Sequence, residues 1–197
     1  MSIFSPMKFR AACRNVVALF FTVVLLASCQ NIQTSTVEKT PSLKNYVSLD
    51  LAYATYSEKL QKLEKQIQKS LKNRGEAHIT LITPPEYNHL RQRLSDIEIH
   101  EQAKLFLKSP PRFKEFCIGS GETSINQKKE TTYYVVVESS DFIAFRKKLA
   151  QLSQLPVTEF NPDLFYPHIT LGFTSRDLHY EDGVIKNKQS CLKDQPL

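Results

Sequence analysis

Residues 166–173 read Tyr166-Pro167-His168-Ile169-Thr170-Leu171-Gly172-Phe173, and the tetrapeptide His-Ile-Thr-Leu within them occurs earlier as His78-Ile79-Thr80-Leu81. Each copy sits in a short apolar run after a turn-rich stretch, which predicts a β-strand. Residues two apart in a strand project from the same face, so His78 pairs with Thr80 and His168 with Thr170. If the two strands border one cleft, it holds two imidazoles and two hydroxyls. Such a set suits phosphate chemistry. A neutral imidazole takes a proton from a nucleophile, and a protonated one gives a proton to the leaving oxygen. The threonine hydroxyls can donate to non-bridging phosphate oxygens, where charge accumulates. This chemistry calls for no metal and no cofactor. The residues alone also allow a blander reading, two unrelated half-buried strand histidines.

The elements around the motifs alternate between strand and helix types. Residues 46–52 alternate as a strand, and Leu60, Leu63, Ile67 and Leu71 then form one apolar stripe at helical spacing. Thr55-Tyr56-Ser57-Glu58 has the form of a capping box, and Gly75 is a natural helix stop. Thr83-Pro84-Pro85-Glu86 gives a second cap, with Tyr87, Leu90 and Leu94 as the buried face of the helix it starts. Residues 113–118 predict a strand, Gly119-Ser120-Gly121 a turn or bulge, and residues 131–138 a further strand. Asp141 is placed to cap a helix with Phe142, Phe145, Leu149 and Leu152 on one face. Each histidine motif therefore follows a strand, a helix and a loop, which suggests two similar halves. Gly119-Ser120-Gly121 lacks the Lys-Ser/Thr of a phosphate loop. His89, His100 and His179 read as surface residues of helices or loops.

The pattern His-x-Thr-hydrophobic, in two copies 90 residues apart (168 minus 78), resembles the signature of the 2H phosphoesterase superfamily. That superfamily includes RNA 2',3'-cyclic phosphodiesterases and 2'-5' RNA ligases. Tyr46-Val47-Ser48-Leu49 resembles its first strand, and residues 166–173 resemble its second motif almost residue for residue. The run from His78 to Tyr87 is similar to the Swiss-army-knife RNA repair subgroup. The resemblance extends from about Tyr46 to about Gly183. It implies an α+β fold of two pseudo-symmetric lobes, with antiparallel sheets around a central cleft and one His-x-Thr strand per lobe. It also implies His78 and His168 as the catalytic acid and base, in an order the sequence leaves open, and Thr80 and Thr170 as substrate ligands. Tyr46, Tyr87, Phe165, Tyr166 and Phe173 lie near the motifs and can stack on a base, with Tyr87 and Tyr166 the chosen candidates. For any one of them, core packing is the commoner role.

The first 28 residues are of a different kind. Lys8, Arg10 and Arg14 precede an apolar run of eleven residues, Val16 to Leu26. A bilayer-spanning helix needs about 20 apolar residues, so the run fits a secretory signal peptide. Leu26-Ala27-Ser28-Cys29 resembles a bacterial lipobox, which would make Cys29 a lipidated first residue and anchor the protein to a membrane. Gln30 after it resembles the outer-membrane-directed version, on the periplasmic side of a two-membraned cell. Residues 29–44 read as a flexible tether, and residues 45–197 as one domain. Three of the 26 basic residues leave with the signal, and the remaining 23 against 20 acidic ones give +3. That balance is compatible with a nucleotide or RNA substrate without demanding one. Basic clusters at Lys72-Asn73-Arg74, Lys128-Lys129 and Arg146-Lys147-Lys148 can touch a phosphodiester backbone, although solvated faces are the commoner case. Cys117 and Cys191 can pair in an exported protein, and neither has a metal-ligand spacing.

These readings converge on a monomeric, metal-independent phosphodiesterase that hydrolyses 2',3'-cyclic phosphates of nucleotides or RNA ends. Two rivals stand beside it. One is cleavage or joining of 2'-5' linkages, against which export and the lack of an ATP-binding motif both argue where ligation is concerned. The other is an envelope lipoprotein that binds nucleotide or RNA without turnover.

Overall fold

The structure, a computed structural model, describes residues 45–193. The segments expected to be a signal peptide and a tether, and the expected lipidation site Cys29, lie outside the described residues. Among the described residues, no helix is long and apolar enough to cross a membrane.

Among the described residues the elements follow in chain order: β1 (Val47–Leu51), α1 (Tyr53–Ile67), β2 (Ala77–Ile82), α2 (Pro84–Leu90), α3 (Asp96–Leu107), β3 (Lys114–Ile125), β4 (Lys128–Glu138), α4 (Ser140–Ser153) and β5 (His168–Phe173). Two short 3-10 turns, Tyr180–Asp182 and Lys188–Ser190, punctuate the C-terminal segment. The strands form an antiparallel sheet in the order β1-β2-β5-β4-β3. The fold is α+β, as expected. One lobe contributes β1 and β2, the other β3, β4 and β5, and the two His-x-Thr strands are neighbours at the seam, which joins both lobes into one sheet. The β2–β5 register is Ile79 opposite Ile169. Both isoleucines are fully buried in the main core, with Leu49, Leu63, Leu81, Val135, Phe142 and Leu149.

Local chemistry shows why these elements form where they do. Thr83 caps α2 as the sequence predicts, with Glu86 completing the capping box. The same device starts α3, where the Ser95 side chain accepts from Glu98 N and Glu98 returns the bond. That helix was not anticipated, although Ser95-x-x-Glu98 is a legible cap. Other expectations are corrected. Helix α1 begins before Thr55, on Ala52 with no side-chain cap, and ends on Gln68 in the left-handed region rather than at Gly75. Ser139, not Asp141, caps α4, because the Asp141 carboxylate is taken up by Arg112 N at 2.9 Å. Leu152 on α4 is exposed rather than buried. Gly119 and Gly121 make no turn, and β3 runs straight through them. They are small because the C-terminal segment crosses there: a β-carbon on Gly121 would come within 2.2 Å of Val184, and one on Gly119 within 2.9 Å of Ser190. The reversal comes at Asn126 and Gln127, both at positive φ, which suits a two-residue hairpin.

The other sheet face, in the second lobe, holds a small cluster of Cys117, Tyr134 and Val136 with Cys191 packed against it. Cys117 and Cys191 are disulfide-bonded, with Cα atoms 5.8 Å apart. The bond ties the C-terminal segment to β3, where Leu192 N also donates to Ile118 O at 2.9 Å.

Candidate active site

The strand geometry brings the two motifs together. With Ile79 opposite Ile169 and both turned into the core, the residues on either side of each project from the opposite face. Antiparallel pairing then sets His78 across from Thr170 and Thr80 across from His168. The two histidines occupy a diagonal, for which the ordinary spacing is about 7–8 Å. All four side chains line one cleft of about 690 Å³.

The two halves of this rectangle differ in chemistry. His168 donates from Nδ1 to the Tyr166 carbonyl at 2.8 Å, and its Nε2 lies 3.1 Å from Lys186 Nζ. Burial and the Lys186 charge together push its pKa down from 6.5 to about 3. Lys186 is itself buried and donates to Asp177 Oδ1 at 2.9 Å. Burial lowers the pKa of its ammonium, against the pull of Asp177. Asp177 accepts from Thr132 at 2.7 Å and from Thr170 at 2.9 Å. Burial alone would raise the Asp177 carboxyl, but Lys186 and the Thr132 hydroxyl outweigh it and hold the group well below the usual carboxylate range. The other half is more open: His78 Nδ1 stands 3.6 Å from Glu76 Oε1.

Thr170 thus donates its hydroxyl hydrogen bond to Asp177 and is not poised to donate to a phosphate oxygen. Tyr166 lines the cleft, with its ring stacked on Tyr180 at 6.4 Å between centroids. Tyr87 does not line it. Its side chain is 2 % exposed, and its hydroxyl is hydrogen-bonded to His100 Nε2 at 3.0 Å and Asp96 at 3.2 Å. It faces inward as Leu90 does, so the expected substrate contact is corrected to a core role. His100 is accordingly buried rather than on the surface, and His89 and His179 both line the cleft.

Of the three basic clusters, one places a charge at the site: Asn73 and Arg74 line the cleft. Lys128 and Lys129 pair with Glu130 and Glu122 on the β3–β4 hairpin. Arg146 is fully buried, against the expectation of a solvated face or phosphate contact. Its guanidinium pairs with Glu86, at 2.6 Å to Oε1 and 3.1 Å to Oε2. It also donates to the carbonyls of Leu81, Asn161 and Pro162 and lies over the Phe160 and Phe165 rings. It therefore fixes the end of β2, the cap of α2 and the loop that leads into β5. Asp177 and Lys186 escaped sequence reading because neither belongs to a motif and the loops that deliver them have no periodic pattern. Among the described residues, no cluster of His, Cys, Asp and Glu has the makings of a metal site.

The family profile described as Swiss Army Knife, 2H phosphoesterase domain matches residues 45–179, and the chain belongs to this family of phosphoesterases. No curated protein and no solved structure matches the chain.

Proposed function

We propose that the protein is a metal-independent phosphodiesterase that opens 2',3'-cyclic phosphates on nucleotides or RNA ends. The observation that carries the reading is the antiparallel β2–β5 register, which puts both motifs on one face of one cleft. One histidine takes a proton from water as its oxygen attacks phosphorus, and the other protonates the ribose oxygen that leaves. Thr80, with no hydrogen bond among the described residues that occupies its hydroxyl, is the free donor to a non-bridging oxygen. Arg74 adds positive charge at the rim, and the Tyr166–Tyr180 pair offers a face on which a base can stack. We further propose that the chain works in the cell envelope, lipid-anchored through Cys29, a reading that rests on the N-terminal sequence alone.

The test incubates the full-length protein, with EDTA, with the four 2',3'-cyclic mononucleotides and a cyclic-phosphate-ended RNA. Turnover that His78→Ala and His168→Ala each reduce by about 10²–10⁴-fold supports the reading. Folded protein with no turnover on any of them overturns it, and cleavage of 2'-5' linkages alone or binding without turnover would replace it.

A further inference from the structure

The sequence leaves the order of acid and base open, and the contacts of the buried Lys186 bear on it. The Tyr166 carbonyl can only accept, so the 2.8 Å contact puts a proton on His168 Nδ1. An ammonium can only donate, so the 3.1 Å contact from Lys186 Nζ needs a lone pair on His168 Nε2. Both contacts are satisfied by one form of the ring, the uncharged tautomer protonated on Nδ1. Lys186 is held in place by Asp177, which is anchored in turn by hydroxyls from β4 (Thr132) and β5 (Thr170). The opposite charges of Lys186 and Asp177 offset each other away from water, so the cation stays without a solvent shell.

We propose that Lys186 is a positioning residue that fixes His168 as the neutral, Nδ1-protonated base of the reaction and leaves His78 as the acid. The words base and acid rest on the phosphodiesterase reading, whereas the tautomer does not. Glu76 Oε1 stands 3.6 Å from His78 Nδ1, within ion-pair reach of a protonated ring. The step then balances. Attacking water displaces the Lys186 hydrogen at His168 Nε2 and gives its proton to that nitrogen. Its oxygen bonds to phosphorus, one ribose oxygen leaves, and that oxygen takes a proton from His78. Solvent exchange resets both rings, and the Lys186 charge hastens proton loss from His168.

The groups that face His168 are Lys186, Asp177 and His179 from the C-terminal segment, Tyr134 from β4 at 5.8 Å between rings, and His78 from β2. Of these, Lys186 and His179 oppose a charge on the ring and Asp177 favours one. Removing the lysine charge therefore moves His168 back toward the ordinary 6.5.

The experiment is ¹⁵N NMR of the imidazole nitrogens in the full-length protein, with His168 assigned by loss of its signals in His168→Gln. At pH 7 the wild type is expected to show a neutral His168 protonated on Nδ1. In Lys186→Met its titration midpoint is expected to rise by at least one pH unit, and the alkaline-going rise of kcat/KM with it, while Lys186→Arg keeps both low. A charged or Nε2-protonated His168 in the wild type overturns the proposal, as does an unmoved midpoint in a folded Lys186→Met. If that variant does not fold, the wild-type spectrum decides alone. Because the tautomer is read without substrate, failure of the proposed substrate class and failure of the lysine's role give different results.

Discussion

Thr80 and Thr170 are the same letter in the same motif, and the structure gives them different work. Thr170 feeds the carboxylate that holds Lys186, while Thr80 stands in the cleft. Thr80→Val is expected to lower kcat by about 10²-fold, the usual loss on removing one oxyanion donor, with an unchanged thermal midpoint. Thr170→Val is expected to lower the midpoint instead, because Asp177 loses a buried donor; kinetics and calorimetry on both variants check the split. Arg146 likewise takes its role from a distant partner. In the run Arg146-Lys147-Lys148 it is indistinguishable by sequence from a solvated charge, since its partner Glu86 is 60 residues away. Truncating one member of a buried pair costs about 3–5 kcal/mol, so Arg146→Met is expected to lose that much in denaturant unfolding. The imidazoles were legible in the sequence because they repeat. Asp177 and Lys186 were not, because their meaning comes only from what they touch.

At the scale of elements, the signals that held were local ones. The cap at Thr83 and the strand character of both motifs depend on neighbours within four residues. Gly119 and Gly121 look like a turn by sequence, yet their smallness answers a segment 63 to 71 residues downstream, at Val184 (184 minus 121) and Ser190 (190 minus 119), rather than a turn of their own. That segment carries Lys186, and the disulfide fastens it five residues further on. Closing a loop of 74 residues removes about 4 kcal/mol of unfolded-state freedom. The Cys117→Ser/Cys191→Ser double variant is therefore expected to lose stability of that order in denaturant. A drop in kcat beyond what the stability loss explains would follow from a loosened Lys186, and kinetics well below the unfolding transition reads it.

The whole molecule joins its two lobes into one sheet at the seam between β2 and β5. The alternation of strands and helices and the resemblance around both motifs made the α+β class and the two halves readable. The direct pairing of strands 90 residues apart was not, because register is settled by long-range packing of Ile79 on Ile169. The same seam sets the protein's response to acid. His168 has its folded pKa depressed, so the unfolded chain binds more protons between 6.5 and about 3, and the stability it lends falls as pH drops through that window. Asp177, also depressed, adds a further loss as pH falls below its ordinary 3.8. Thermal midpoints are expected to decline from pH 6.5 downward in the wild type and more shallowly in His168→Gln.

A double-mutant cycle in kcat/KM on a 2',3'-cyclic nucleotide asks whether His78 and His168 act on one phosphate. Groups that act as a unit lose their effect together. Each alanine variant is expected to fall by about 10²–10⁴-fold, with the double variant close to the worse single one. Losses that multiply, or one histidine whose removal leaves the rate near wild type, would contradict a shared site.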